Sequence, residues 1–141
     1  MAYWLFQGNP KYYRILDALG EQEALPWLVT RYAKEIQVGD GVLIWMAGPE
    51  AGIYAIAEVV QGPKLYTELP DPDYWISPQN AKLDKPRAQL KFIRKLLGQP
   101  LRRSELKQDQ ILRELLVIRA PNSTNFKLTV PQWERVCALK G

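Results

Sequence analysis

Two apolar runs of strand length, separated by a tight turn, constrain the fold of this chain more than any other feature. The runs are Val42–Ala47 and Gly52–Gln61, and residues 48–51 between them are Gly-Pro-Glu-Ala. Glycine and proline between two apolar runs are typical of a β-hairpin. Neither run approaches the ~18 apolar residues of a membrane span. The sequence therefore predicts a sheet organised around this hairpin, within one domain of 141 residues.

The N-terminal part of the chain predicts a strand, a tight turn and a short helix. Ala2–Gln7 is aromatic and β-prone, and Asn9 followed by Pro10 is a typical helix start. Apolar residues at 12, 15, 16 and 19 then share one helical face, and Gly20 is expected to end the helix. Residues 21–35 show no regular pattern, and we expect an irregular connection there.

The C-terminal part predicts a long loop followed by short elements. Residues 62–80 contain four prolines among aromatic side chains, which favours a long loop that packs onto the domain. Arg87–Leu97 fits a helix as well as a strand, whereas Leu116–Arg119 predicts a short strand. Thr129 and Gln132 form a capping box that predicts a closing helix, on which we expect Cys137 to be a small buried side chain.

The composition argues against several kinds of catalysis. The chain contains no histidine and one cysteine, which excludes Ser-His-Asp and Cys-His nucleophiles and histidine-ligated metals. Asp71 and Asp73 lie in the proline-rich loop and are expected to be too exposed for a tuned acid–base pair. No glycine-rich phosphate loop is present. We therefore expect a binding protein with no catalytic residue, no metal and no cofactor, and the lack of an export signal predicts a cytoplasmic location.

The charge is concentrated in one segment of the chain. Residues 81–119 contain eleven basic and four acidic side chains, although the net charge of the whole chain is only +4. Such a basic segment is the expected footprint of a surface that contacts phosphates, although a solvated basic surface is an equally good interpretation. The candidate phosphate-binding residues within it are Lys91, Arg94, Lys95, Arg102 and Arg103.

Aromatic residues near predicted strand ends and loops provide a positive argument for binding. Indole and phenol rings stack on nucleobases, and amide side chains can hydrogen-bond the edge of a base. Any single one of these rings is more often a core residue, but in a set of six we expect some to be exposed. The aromatic candidates are Trp4, Trp27, Trp45, Tyr54, Tyr74 and Trp75, and the amide candidates are Gln7, Asn9, Asn122 and Asn125.

Several segments, in collinear order, resemble the EVE domain family. They are the opening Tyr-Trp-Leu-Phe-Gln-Gly-Asn-Pro at 3–10, Trp27–Arg31 with the following Gly-Asp at 39–40, Gly52–Val59, and the tail from Pro100 to Trp133. The resemblance implies a PUA-like α+β fold, related to YTH and ASCH domains. This fold is a curved mixed β-barrel of about five to six strands with flanking short helices. The family would also make Arg87–Lys95 a strand.

The resemblance also implies a function and a site. Domains of this superfamily recognise modified bases of DNA or RNA in an aromatic pocket, so the expected partner is a nucleic acid and the expected ligand is one nucleobase. Two alternatives are an ASCH-like amidohydrolase acting on modified nucleosides, with Glu58 and Lys91 as working groups, and a protein-interaction module. The pocket residues that the resemblance implies are Trp4, Gln7, Gly8, Asn9, Trp27, Thr30, Arg31, Trp45, Tyr54, Ser123 and Asn125.

Overall fold

The predicted hairpin lies at the centre of a curved mixed sheet. The computed structural model describes residues 1–141 and contains seven strands, arranged in the order β2-β5-β4-β3-β1-β7 with β6 paired to β4. Strand β1 runs parallel to β3, and all other pairs are antiparallel. The strands are β1 (Tyr3–Gly8), β2 (Ala24–Leu28), β3 (Gly41–Met46), β4 (Gly52–Lys64), β5 (Arg87–Lys95), β6 (Leu101–Arg102) and β7 (Asn125–Lys127).

Short helices cover the sheet, so the expected α+β architecture is confirmed. They are α1 (Ile15–Glu21), α2 (Arg103–Leu106), α3 (Leu116–Arg119) and α4 (Val130–Lys140), with single 3₁₀ turns at Pro72–Tyr74, Pro78–Ala81 and Leu112–Glu114. None of these helices has the length and hydropathy needed to cross a bilayer.

Apolar side chains cover both faces of the central strands. Phe6 and Ile44 belong to a first core beneath α1, whereas Leu5 and Trp45 belong to a second core on the opposite face. Successive side chains of a strand point to opposite faces, so a strand buried on both sides appears in the sequence as a continuous apolar run. All six residues of β3 are buried for this reason.

The closing helix begins as its capping box predicts. The Gln132 N–H donates to the Thr129 hydroxyl at 3.2 Å, and the Thr129 N–H donates to the Gln132 side-chain carbonyl at 3.0 Å. Trp133 then packs over Gly41, where an added Cβ would lie 2.6 Å from its indole ring. Cys137 is only half-buried, and burial raises the pKa of its thiol.

Three expectations for local structure are wrong, while the strand Arg87–Lys95 is confirmed. Residues 21–35 contain the strand β2. Pro26 has no N–H to donate, and the strand tolerates it because β2 lies at the edge of the sheet. The first helix starts only at Ile15, because the N–H groups of Tyr12 and Tyr13 close a separate turn on the Asn9 carbonyl. It also continues through Gly20 to Glu21. Leu116–Arg119 forms a helical turn that buries Val117 in the second core.

Candidate functional site

A cavity of about 420 Å³ opens where the ends of β1 and β2 meet two loops. The strands contribute residues 7–8 and 26–28, the proline-rich loop contributes Asp71, Trp75 and Asn80, the turn after it contributes Lys82, and the loop before β7 contributes residues 121–124. This volume lies within the ~300–1,000 Å³ range of ligand pockets, which combine apolar walls with a few polar groups. The arrangement therefore suits a small planar ligand or part of a larger one.

Three aromatic rings form the apolar wall of this cavity. Tyr13 contacts Trp27 edge-on at 6.2 Å between ring centroids and contacts Trp75 edge-on at 4.8 Å. Trp27 also packs against Gly8, where an added Cβ would lie 3.1 Å from the indole and 2.9 Å from the Ile15 side chain. Glycine at position 8 thus permits Trp27 to approach the end of β1.

A buried carboxylate lies in the wall of the same cavity. Asp71 accepts a hydrogen bond from the Tyr13 hydroxyl at 2.8 Å on one oxygen and from the Trp75 indole N–H at 3.0 Å on the other. Burial, and secondarily the charge of Asp71, raises the pKa of the Tyr13 hydroxyl above its usual range. Tyr13 consequently stays protonated and remains a hydrogen-bond donor to Asp71.

A buried guanidinium fixes the turn that follows the proline-rich loop. Arg87 is 1% exposed and donates to the backbone carbonyls of Ala81, Lys82 and Lys85. Burial lowers the pKa of Arg87, an effect that the nearby negative charge of Asp71 opposes. Arg87 therefore fixes the turn at residues 81–85 and balances the charge of Asp71 within the cavity wall.

The rim of the cavity carries amide side chains. The Gln7 amide donates to the carbonyl of Ser123 at 2.7 Å and to that of Pro121 at 3.2 Å, so it holds the loop before β7 in place. The Asn9 side-chain oxygen accepts from the Lys11 N–H at 2.9 Å. Asn80 and Asn122 complete a rim of hydrogen-bonding groups.

The cavity brings together five of the residues named from the resemblance, and three of the aromatic ones lie elsewhere. The five are Gln7, Gly8, Asn9, Trp27 and Ser123. Trp4 is buried in the first core, where its indole N–H donates to Asp40 at 2.9 Å. Trp45 is buried in the second core, on the opposite face of the sheet. The Tyr54 hydroxyl donates to the Glu50 carbonyl, and its ring is buried.

Thr30, Arg31 and Asn125 lie beside the cavity rather than on its wall. Asn125 is fully buried, and its side-chain oxygen accepts from the Thr30 N–H at 2.8 Å while its amide donates to the Leu28 carbonyl at 3.2 Å. Arg31 is exposed, and its guanidinium stacks 4.9 Å from the ring centroid of Tyr32. Asn125 and Thr30 thus join β7 to the end of β2 and close the curved sheet.

The candidate phosphate-binding residues fall into two groups. Lys91 and Arg94 are exposed on β5, and Lys95 pairs there with Glu23 at 3.2 Å. Arg102 and Arg103 line a second, more open cavity of about 510 Å³ together with Lys107, and Arg102 forms an ion pair with Glu50. Residues 48–51 of the hairpin turn line this second cavity, while the preceding Ala47 lines the first.

The groups considered for catalysis are arranged apart from the cavity. Glu58 and Lys91 are register partners across β4 and β5, and neither lines the cavity. Asp40 accepts hydrogen bonds from Trp4, from the Ala2 N–H and from the Gln37 N–H, which is a structural arrangement. No group of three or more acidic or cysteine side chains is placed to hold a metal ion.

The sequence reasoning missed the polar centre of the site. Asp71 was expected to be exposed, but it is 7% exposed and hydrogen-bonded on both oxygens. Tyr13 and Arg87, which surround it, are not among the residues that the sequence predicts for the site. Their local pattern contains no signal for this cluster, since it forms only when the loop folds back onto the turn before α1 through the Tyr13–Trp75 bridge.

Solved structures with the same fold come from bacteria and eukaryotes. A Pseudomonas putida protein is 21% identical with a TM-score of 0.71, and the match covers 98% of this chain and 99% of that one. Human THYN1, solved in complex with 5-methylcytosine-containing DNA, is 14% identical with a TM-score of 0.71 and coverage of 99% and 97%. A mutant of an ASCH protein from Zymomonas mobilis is 15% identical with a TM-score of 0.58 over the full length of both chains.

The family assignment rests on the sequence itself. A comparison with curated proteins found no match. The family model of the EVE domain, however, matches residues 2–139, which is nearly the whole chain. The curled mixed sheet is the PUA-like fold that the resemblance implied. This chain belongs to the EVE domain family.

Proposed function

We propose that this chain is a non-enzymatic nucleic-acid-binding domain that holds one nucleobase, expected to be a modified one, in the cavity lined by Trp27 and Trp75. The observation that carries the proposal is the combination, in one cavity of about 420 Å³, of aromatic walls with an amide-rich rim. Membership of the EVE family supports it. The complex of the human relative THYN1 with DNA that contains 5-methylcytosine supports it further.

The cavity suits a base that has left its stack. An extruded base loses its neighbours and its partner, and a protein compensates with aromatic faces and with hydrogen bonds to the base edge. Stacking on an aromatic side chain contributes roughly 1–3 kcal/mol per base. Trp27, Tyr13 and Trp75 supply the aromatic surface, and Asn9 and Asn122 lie at the rim where a base edge would be exposed.

The backbone of the nucleic acid would follow the basic surface next to the hairpin turn. Arg103 and Lys107 line the second cavity and form no ion pair with an acidic side chain. Ala47 and Gly48 are neighbours in the chain, and they line the first and the second cavity respectively. A strand whose base occupies the first cavity would therefore place an adjacent phosphate near Arg103 and Lys107.

A binding assay with matched oligonucleotides tests the proposal. The probes are fluorescein-labelled single strands, identical except for one central base, which is cytosine, 5-methylcytosine, 5-hydroxymethylcytosine, adenine or N6-methyladenine. We expect one modified base to bind more tightly than its unmodified parent, and its affinity should fall by about tenfold in Trp27→Phe. Equal affinity for all probes, unchanged by that substitution, would contradict a base-binding cavity, and absence of binding to every probe would favour the protein-interaction alternative.

The proposal also states that the protein has no enzymatic activity, which a separate experiment tests. Incubation of the protein with a panel of acylated nucleosides, followed by chromatography, should return every nucleoside unchanged. Turnover that is lost in Glu58→Gln and Lys91→Gln would instead establish the amidohydrolase alternative, in which these two register partners do the work.

A further inference from the structure

We propose that Asp71 selects the base in the cavity, by accepting a hydrogen bond from an exocyclic amino group, so that the ligand is a base of the cytosine or adenine type. This inference rests on the proposed function and adds to it the chemical class of the ligand. The geometry that carries it is a carboxylate in the cavity wall whose two oxygens are fixed by donors from the protein.

The carboxylate of Asp71 retains hydrogen-bonding capacity after its protein contacts are made. A carboxylate has about four acceptor sites. The Tyr13 hydroxyl and the Trp75 indole N–H occupy one site on each oxygen. Asp71 is 7% exposed and lines the cavity, so its remaining acceptor capacity is available to a ligand there and largely shielded from bulk water.

The two protein neighbours of Asp71 are both hydrogen-bond donors, so Asp71 acts as the acceptor toward them. An indole N–H can only donate, and Tyr13 stays protonated because burial and the charge of Asp71 raise its pKa. Both neighbours therefore use Asp71 as a hydrogen-bond acceptor. Three hydrogen bonds of Arg87 go to backbone carbonyls of residues 81, 82 and 85, so this cation offsets the charge of Asp71 while most of its N–H groups hold the neighbouring turn.

A fixed acceptor distinguishes amino-bearing bases from their oxo counterparts. Cytosine and adenine carry an amino donor where thymine and hypoxanthine carry a carbonyl oxygen. In the oxo bases, the ring N–H lies next to that carbonyl. A carboxylate that accepts from the ring N–H therefore also meets the carbonyl oxygen, which is an acceptor and cannot donate to it. A site built to bond a donor rejects an analogue that lacks it, because a buried polar group is then left unpaired.

Two matched pairs of probes test the selection. They are single-stranded oligonucleotides that differ only at the central base, one pair with 5-methylcytosine or thymine and one pair with adenine or hypoxanthine. We expect the amino member of at least one pair to bind roughly 10- to 100-fold more tightly to the unaltered protein, in line with the discrimination of a specific base contact. Equal affinity within both pairs would overturn the inference.

A variant pair assigns the selection to Asp71. In Asp71→Asn the affinity ratio within the preferred pair should fall by at least several-fold, because the amide presents a donor as well as an acceptor. Asp73→Asn removes the same charge from an exposed position of the same loop and should leave the ratio unchanged. Thermal melting establishes whether both variants fold. If Asp71→Asn does not fold, the affinity ratios between amino and oxo bases measured with the unaltered protein test the inference. A ratio unchanged in folded Asp71→Asn would overturn the assignment.

The outcomes separate this inference from the function on which it rests. Binding that depends on Trp27 but does not distinguish amino from oxo bases would overturn the role of Asp71 and leave the base-binding cavity in place. Absence of any binding that depends on Trp27 would overturn both.

Discussion

The indole N–H of Trp27 donates a hydrogen bond to the backbone carbonyl of Gln7 at 3.3 Å, and both residues line the cavity. Trp27 belongs to β2 and Gln7 to β1, and these strands are not adjacent in the sheet order. The contact therefore joins two separated parts of the curved sheet at the point where the cavity opens. Trp27 is at once a core residue and the wall of the candidate site.

The substitution Trp27→Phe should weaken both the fold and the binding of a nucleobase. The smaller ring loses the hydrogen bond to Gln7 and part of the stacking surface, so we expect a loss of about 1–3 kcal/mol of stability and a decrease of about tenfold in oligonucleotide affinity. Thermal melting and fluorescence anisotropy measure the two effects.

The matched control for this change is Trp45→Phe. Trp45 is buried to a similar extent, at 3% exposed against 5% for Trp27, but it lies on the opposite face of the sheet. It should lose a similar amount of stability and keep the affinity of the unaltered protein. A loss of affinity in Trp45→Phe equal to that in Trp27→Phe would show that affinity merely follows stability.

Asn125→Ala should destabilise the closure of the sheet. The change leaves the Thr30 N–H and the Leu28 carbonyl without their partner, and each buried unsatisfied group costs roughly 1–3 kcal/mol, so we expect a total of about 2–6 kcal/mol. Urea unfolding measures this cost. Asn122→Ala, three residues earlier and exposed, should change the stability by less than ~0.5 kcal/mol. Equal midpoints for the two variants would contradict a bridging role for Asn125.

The paired substitution Arg103→Gln and Lys107→Gln should reduce the salt dependence of nucleic-acid binding. Each lost phosphate contact lowers the slope of log affinity against log salt concentration by about 0.7 for single strands, so two contacts correspond to about 1.4. The comparison is the pair Lys91→Gln and Arg94→Gln, which removes the same charge from the exposed surface of β5. A change of slope in this second pair alone would place the backbone along β5 instead.

Asp109 should contribute stability that depends on pH. Its carboxylate accepts from the Arg135 guanidinium at 2.8 Å and from the N–H groups of Ile111 and Leu112, and these contacts hold its pKa below the ordinary value of 3.8. Because the folded pKa is the lower one, the contribution is complete above pH ~3.8 and is lost as the pH falls through the folded value. Asp109→Asn should therefore melt at a lower temperature at pH 7, and the difference should shrink as the pH falls below 3.8.

The exposed Asp17 offers the comparison for that measurement. It forms an ion pair with Arg14 at 3.2 Å with more than half of each side chain exposed, and such pairs contribute little to stability. Asp17→Asn should melt close to the unaltered protein at both pH values. A difference between Asp109→Asn and the unaltered protein that stays constant down to pH 2 would contradict the lowered pKa.

The elements that the sequence predicts well are those with a strong local signal. The apolar runs of β3 and β4 and the capping box at Thr129 each specify a structure over a few residues. The strand β2 was missed because Pro26 is tolerated only at a sheet edge, and the position of a strand in the sheet is not visible in its own residues.

The site was predicted less completely, because strand residues alternate between two faces that are both buried. Nothing local in the sequence distinguishes Trp45, which lies in the second core, from Trp27, which lies at the cavity. The resemblance did locate Gln7, Gly8, Asn9 and Ser123 at the cavity. Asp71 was missed because its burial depends on contacts with Tyr13, which is distant in sequence.

The most direct test of the base-binding cavity is the set of indole N–H signals in a ¹H–¹⁵N NMR spectrum. The five tryptophans give five such signals, and single Trp→Phe variants assign them. On titration with the preferred oligonucleotide, the signals of Trp27 and Trp75 should shift, while those of Trp4 and Trp45 in the cores and of Trp133 beneath Tyr3 should stay in place. Saturable binding that leaves Trp27 and Trp75 unshifted would contradict the account.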